Sequence, residues 1–152
     1  MENKQVLSHG IFWASELNYL KDVFSKFLQG KLFLDLGSGD GKVVKFAYNF
    51  SNYVNGVEID KKLYEDSEVK NWIMNDNLFN INFKSYDILY YYLKGSKHEL
   101  ELIQKLNEEF KDYLIIYYKS MKEKQVDVFA SFLKADVCYV SEYVKVYKFQ
   151  TS

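Results

Sequence analysis

The sequence has no proline and no arginine, and only one cysteine and two histidines among its 152 residues. Each shortage excludes something. All 20 basic residues are lysine, so the side chain best fitted to bidentate contacts with phosphate and guanine is missing. The formal net charge is −1, which provides no general field to draw the chain onto nucleic acid. Nucleic acid is therefore not an expected partner. Cys138 alone rules out an internal disulfide and a multi-cysteine zinc site. In the alternating run Asp136-Val137-Cys138-Tyr139-Val140 it is expected to be a buried, inert thiol. His9 and His98 lack the spacing of metal ligands, so no metal centre is expected. No apolar run is long enough to span a membrane, and the N-terminus has no presequence pattern. A cytoplasmic monomer without a membrane span is the expectation.

Hydrophobic residues make up 48% of the chain, enough to build a core, which argues against disorder. The length fits a single domain over residues 1–152, with an N-terminal helical segment at 1–30 and an α/β core at 31–152. Aromatics reach 18%, an excess that core filling accounts for. Leu17, Leu20, Phe24, Phe27 and Leu28 fall at helical spacing, predicting a helix from Phe12 to Leu28 closed by Gly30. Lys31 to Leu36 is the short apolar run that a buried parallel strand shows. A helix from Val43 to Phe50, a strand from Tyr53 to Ile59 and a helix from Lys61 to Trp72 follow. Phe79 to Phe83 reads as a weak strand and Tyr86 to Leu93 as a strong one. Ser96 to Phe110 reads as a helix opened by a Ser96–Glu99 capping box. A strand at Asp112 to Tyr118 and a short helix at Gln125 to Leu133 come next, and Val137 to Phe149 holds one or two strands. Strands alternating with helices predict a mostly parallel sheet covered on both faces. The last strands lie too close together for a helical crossover, so they should pair antiparallel.

The segment Asp35-Leu36-Gly37-Ser38-Gly39-Asp40-Gly41-Lys42 leaves a strand and enters a helix, where a glycine turn lets backbone approach a ligand. Glu58 ends the next strand, where an acid can accept hydrogen bonds from both ribose hydroxyls of a nucleoside. A P-loop needs four residues between its glycines and then Lys with Ser or Thr, a pattern this turn lacks. A dinucleotide fingerprint wants a third glycine where Lys42 stands. It also places a pyrophosphate that Asp35 and Asp40 would repel. S-adenosylmethionine carries a sulfonium and an amino group and no phosphate. Carboxylates beside the turn suit those cations.

Asp35 to Lys42 resembles motif I of class I S-adenosylmethionine-dependent methyltransferases, and Val57-Glu58-Ile59-Asp60 resembles their ribose-binding segment. The resemblance implies a Rossmann-like α/β fold with S-adenosyl-L-methionine as cofactor. Gly37, Gly39 and Gly41 would then line the methionine part, with Glu58 on the ribose. Asp35, Ser38, Asp40 and Ile59, in the same segments, join the implied cofactor-binding set. The run from Asp35 to Val44, with Gly56-Val57-Glu58-Ile59, is similar to the small lysine methyltransferases. Those comprise the archaeal broad-specificity protein lysine methyltransferases and the mitochondrial ATP synthase c-subunit lysine methyltransferase. Asn77-Leu78-Phe79 resembles their segment near the adenine, and Tyr86 to Leu93 their fourth strand with its aromatic end. Phe12-Trp13-Ala14-Ser15 stands where they have an aromatic-rich segment with Thr-Pro, which adds Trp13 and Ser15 to the set. The proline of that segment is absent here. The likeness spans residues 12 to 118.

Ligands of open α/β sheets bind beyond the carboxyl ends of the strands, so the end of the Tyr86 to Leu93 strand should face the methyl group. The lack of proline disfavours the Asn-Pro-Pro-Tyr type of motif used on amide and adenine nitrogens. The single, distant thiol disfavours cysteine-dependent cytosine chemistry. Transfer to a lysine amine needs a neutral amine held in line with the methyl, which an aromatic slot can provide. One of Tyr90, Tyr91 and Tyr92 is expected beside the acceptor, the alternative for each being an ordinary core or surface aromatic. Asp76 and Asn77 could each reach the adenine amine, and the likeness favours Asn77. The expected function is N-methylation of lysine in a protein partner. RNA or small-molecule methylation, and a non-catalytic cofactor-binding module, are the alternatives.

Overall fold

The computed structural model describes residues 9–150, with side chains from Glu16 onward. Helix α1 (His9–Phe27) leads into strand β1 (Phe33–Leu36), helix α2 (Lys42–Ala47), strand β2 (Val54–Val57), helix α3 (Lys61–Asp66) and strand β3 (Ile73–Met74). Strand β4 (Ile88–Tyr92), helix α4 (Glu99–Glu109), strand β5 (Tyr113–Tyr117) and helix α5 (Glu123–Ser131) follow, and strands β6 (Ala135–Ser141) and β7 (Val144–Phe149) close the chain. The sheet order is β3-β2-β1-β4-β5-β7-β6. Every pairing from β3 to β5 is parallel, and β7 runs antiparallel between β5 and β6. The expected mostly parallel sheet with an antiparallel terminal pair is the one observed.

The two-residue period of the strands divides the core into two layers. Phe33, Ile88 and Tyr90 face one side, where they meet Leu20, Phe24 and Leu28 of the first helical segment and Val43, Val44 and Ala47 around α2. Leu34, Leu89 and Tyr91 face the other, against Leu102, Ile103 and Leu106 of α4 and Val126 and Phe129 of α5. Phe24 is the fastener of α1. Its ring meets those of Phe33, Phe46, Phe50 and Tyr90 at centroid distances of 5.4, 5.8, 6.1 and 6.1 Å. Such aromatic pairs contribute about 0.5–1.5 kcal/mol each beyond area burial. That anchorage holds the preceding turns of α1, with Glu16, over the carboxyl end of β4.

Several local expectations need correction. No strand forms at residues 79–83. Asn77 and Asn82 instead accept backbone N–H groups and start two short 3-10 turns, Leu78–Asn80 and Phe83–Ser85. The true third strand is Ile73–Met74, too short to show a period. The helix expected from Lys61 to Trp72 stops at Asp66 and resumes as a 3-10 turn at Lys70–Trp72. Ser96 makes no capping box. The N-cap of α4 is His98, and Glu99 turns back to accept from the Gly95 N–H at 3.2 Å. Cys138 is exposed, because β6 is the last strand of the sheet and irregular between Val137 and Tyr139. No helix among the described residues is long and apolar enough to cross a membrane.

Candidate functional site

Strand order reverses between β1 and β4, whose ends lie side by side with Leu36 opposite Tyr91. Adjacent parallel strands leave from such a switch point in opposite directions, which opens a crevice above their carboxyl ends. A cleft of about 840 Å³ lies there, within the range of small-molecule sites. Asp35, Gly37, Ser38, Gly39 and Asp40 line one wall, and Glu58, Ile59, Asp76 and Asn77 another. Tyr90, Tyr91 and Tyr92 contribute the third. Residues scattered over three segments of the sequence thus share one cavity. Gly41 lies just outside it, beneath the turn. Trp13 and Ser15 fall outside the residues whose side chains are described.

The turn after β1 is held by its own backbone. The N–H groups of Gly37 and Ser38 both donate to the Val57 carbonyl at 2.9 Å, and that of Gly41 to the Ser38 carbonyl at 2.9 Å. Such tight reversal forces left-handed backbone at Gly37 and Gly39, with φ of 79° and 59°, which glycine adopts without penalty. A Cβ built on either would meet nothing within 4 Å. The open side of the turn is therefore a cradle that a side chain would fill. Ser38 points inward. Its Oγ is buried with no hydrogen-bond partner among the described residues, and it fits only because Gly56 beneath it has no side chain.

Carboxylates dominate the charge of the cleft. Glu58 accepts the Gly39 N–H on Oε1 at 2.7 Å and the Asp60 N–H on Oε2 at 2.9 Å. Each oxygen keeps further acceptor capacity, since a carboxylate offers about four lone-pair sites. Asp35 is buried. Burial, and then the neighbouring Glu16 and Glu58 carboxylates, hold its carboxyl well above the usual carboxylate range, against the pull of Lys42. Such a group resists ionisation until a cation arrives. Asp76 behaves oppositely. Hydrogen bonds from Asn80 and from the Asn77 N–H hold its carboxyl below the usual range. Asn77 turns its Oδ1 to the Phe79 N–H at 3.0 Å.

The three tyrosines have different partners, as alternation along β4 requires. Tyr90 is buried and donates to Glu16 Oε2 at 2.9 Å. Burial and the Glu16 charge push its phenol well above the ordinary value, so it stays a donor. Tyr91, on the opposite face, donates to Glu99 Oε2 at 2.9 Å and lies 3.3 Å from His98 Nε2. Tyr92 shares a hydrogen bond with Ser120 at 2.5 Å, and the Lys94 ammonium stands 4.8 Å from its ring centroid.

Glu16 escaped the sequence reading. It lines the cleft, takes the Tyr90 hydroxyl and pairs with Lys42 Nζ at 3.1 Å. An acid one position before Leu17 on an apolar helix stripe was the available signal, because such a position seldom carries an unpaired charge. Lys94, Ser96, His98 and Glu101 from the β4–α4 connection also line the cleft. Nothing in their spacing marked them.

No family model matches the sequence, and no curated protein matches it. Solved structures do match. The magnesium protoporphyrin IX methyltransferase of Synechocystis PCC 6803, with bound S-adenosylmethionine, superimposes with a TM-score of 0.64 at 19% identity, over 91% of this chain and 77% of that one. The RNA methyltransferase of Salinibacter ruber, in complex with S-adenosyl-L-homocysteine, gives 0.56 at 19% identity, over 90% and 88%. The ribosomal protein L11 methylase of Lactobacillus delbrueckii subsp. bulgaricus gives 0.62 at 11% identity, over 90% and 79%. The acceptors named for these three are a porphyrin, an RNA and a protein, on one shared architecture. This chain is built on the Rossmann-like α/β fold of the S-adenosylmethionine-dependent methyltransferases.

Proposed function

We propose that this protein is an S-adenosylmethionine-dependent methyltransferase, a single monomeric domain that N-methylates lysine side chains of a protein partner. The observation that carries the reading is the cleft at the β1–β4 switch point, a glycine cradle edged by Asp35, Glu58 and Glu16. A nucleoside bearing positive charge and no phosphate suits such a lining. The residues fit the cofactor in three respects. The open Gly37–Gly39 turn accepts a ligand against bare backbone. Glu58 has acceptor capacity left for two ribose hydroxyls. Asp35, buried and reluctant to ionise, gains a partner when a cation sits beside it.

Bound there, the cofactor supplies a methyl group activated by a sulfonium. The chain's own groups orient it and the acceptor. On this reading Asn77 and Asp76 would take the adenine edge, and Ile59, Leu78 and Phe79, which line the same cleft, would give it apolar surface. Tyr90 and Tyr91 are tied by Glu16 and Glu99, so their rings act as fixed walls. Tyr92 is the better candidate for holding the acceptor, because its ring already attracts an ammonium and ring faces stabilise cations by about 0.5–2 kcal/mol. The lysine acceptor is favoured over RNA by the −1 net charge and the absence of arginine.

Purified protein incubated with methyl-labelled S-adenosylmethionine and a cell lysate tests this. The label should survive nuclease, be lost with protease and map to N-methyllysine. A nuclease-sensitive product would replace the acceptor with RNA. Calorimetric binding of the cofactor without any turnover would reduce the protein to a binding module.

A further inference from the structure

We propose that Lys94 of this chain is itself a methyl acceptor, so that the protein methylates its own cleft. The inference rests on the cofactor reading above. Lys94 follows β4 by two residues and lines the same cleft as Asp35 and the Gly37–Gly39 turn. Register places Leu36 opposite Tyr91, so the chain beyond β4 and the turn after β1 stand on either side of the crevice that opens where the two strands part. The Lys94 ammonium sits 4.8 Å from the ring centroid of Tyr92, which lines the same cleft. Its next neighbour, Gly95, has φ of 82° with open space around it, a left-handed turn that glycine adopts without penalty.

Lys42 is the other lysine lining the cleft, and the two differ in what holds them. Glu16 pairs with Lys42 at 3.1 Å. No carboxylate among the described residues pairs with Lys94. The second amine can therefore leave its place without breaking an ion pair. In the step, a proton passes from Nζ to water, and the freed lone pair forms a new N–C bond with the sulfonium methyl. The C–S bond breaks, its electron pair stays on sulfur, and a neutral thioether leaves.

Two readouts test the proposal. First, the cofactor-free protein is treated with an amine-acylating reagent, with and without S-adenosylhomocysteine, and acylation is mapped by peptide mass spectrometry. Bound nucleoside should reduce acylation of Lys94 several-fold and leave that of Lys119 unchanged. Second, incubation with methyl-labelled S-adenosylmethionine should add methyl increments to the Lys94 peptide at a rate per molecule independent of protein concentration. Lys94→Arg should lose that label completely, while Lys119→Arg keeps it. Label on other lysines with none on Lys94, or equal acylation with and without nucleoside, would overturn the proposal. If lysate proteins are labelled while Lys94 is not, self-methylation fails and the proposed function stands. If the nucleoside does not bind, both fall.

Discussion

Replacing Gly41 by alanine separates what the glycine turn does for stability from what it does for binding. Gly41 has φ of 89°, and left-handed backbone costs an L-residue about 1–2 kcal/mol. A Cβ there would lie 2.6 Å from Val69 Cγ2, 2.8 Å from Ser67 Oγ and 2.9 Å from Ile73 Cδ1. Ser67 cannot yield easily, because its hydroxyl donates to the Asp40 carbonyl at 2.6 Å and accepts from the Val69 N–H at 3.2 Å. Overpacking of this kind costs roughly 1–3 kcal/mol, so Gly41→Ala should lose about 2–5 kcal/mol in all. With urea slopes of about 1–3 kcal/mol per molar, the midpoint should fall by on the order of 1–2 M. Gly39→Ala is the contrast. Its φ is 59° and its Cβ meets nothing within 4 Å, so only the backbone cost of about 1–2 kcal/mol applies. That Cβ enters the cleft, however, and should weaken S-adenosylhomocysteine binding by about tenfold or more. Urea denaturation and isothermal calorimetry on both variants read the two effects separately. If Gly41→Ala is no less stable than Gly39→Ala, or Gly39→Ala binds normally, the reasoning about the turn is wrong.

Four further outcomes follow from the same geometry. Asp35→Asn should stabilise the cofactor-free protein, since it removes a buried acid held among other carboxylates, and should weaken cofactor binding if the proposed role of Asp35 holds. The sign can be checked by pH. A carboxyl raised in the folded state costs stability as pH rises from its unfolded to its folded pKa, so the variant's advantage should grow across that window and level off above it. Cofactor affinity of the wild-type protein should fall about tenfold per pH unit below the folded pKa, because binding then releases one proton. Glu58→Ala should abolish calorimetrically detectable binding, and Glu58→Gln should recover part of it through its remaining acceptor oxygen. Tyr90→Phe removes a buried hydrogen bond to a carboxylate and should cost about 1.5–3 kcal/mol in urea denaturation. A loss below about 0.5 kcal/mol would mean that Tyr90 and Glu16 are not coupled.

Sequence alone determined whatever depends on neighbours along the chain. The apolar runs of β1 and β4, the helical stripe of α1 and the glycine turn between Asp35 and Lys42 are local patterns, and each stands where it was expected. So is the spacing that puts Glu58 at the end of β2. Tertiary structure alone decided the contacts that join distant segments. Glu16 reaches Tyr90 across 74 positions, and the packing of Leu20, Phe24 and Leu28 against the sheet brings it there. Ser38 owes its fit to Gly56 on the next strand, and Lys94 enters the cleft because β1 and β4 are neighbours. Cys138 was misjudged for the same reason. An alternating run shows that a strand has two faces but not that the strand is the last in its sheet, since strand order depends on long-range closure rather than on period.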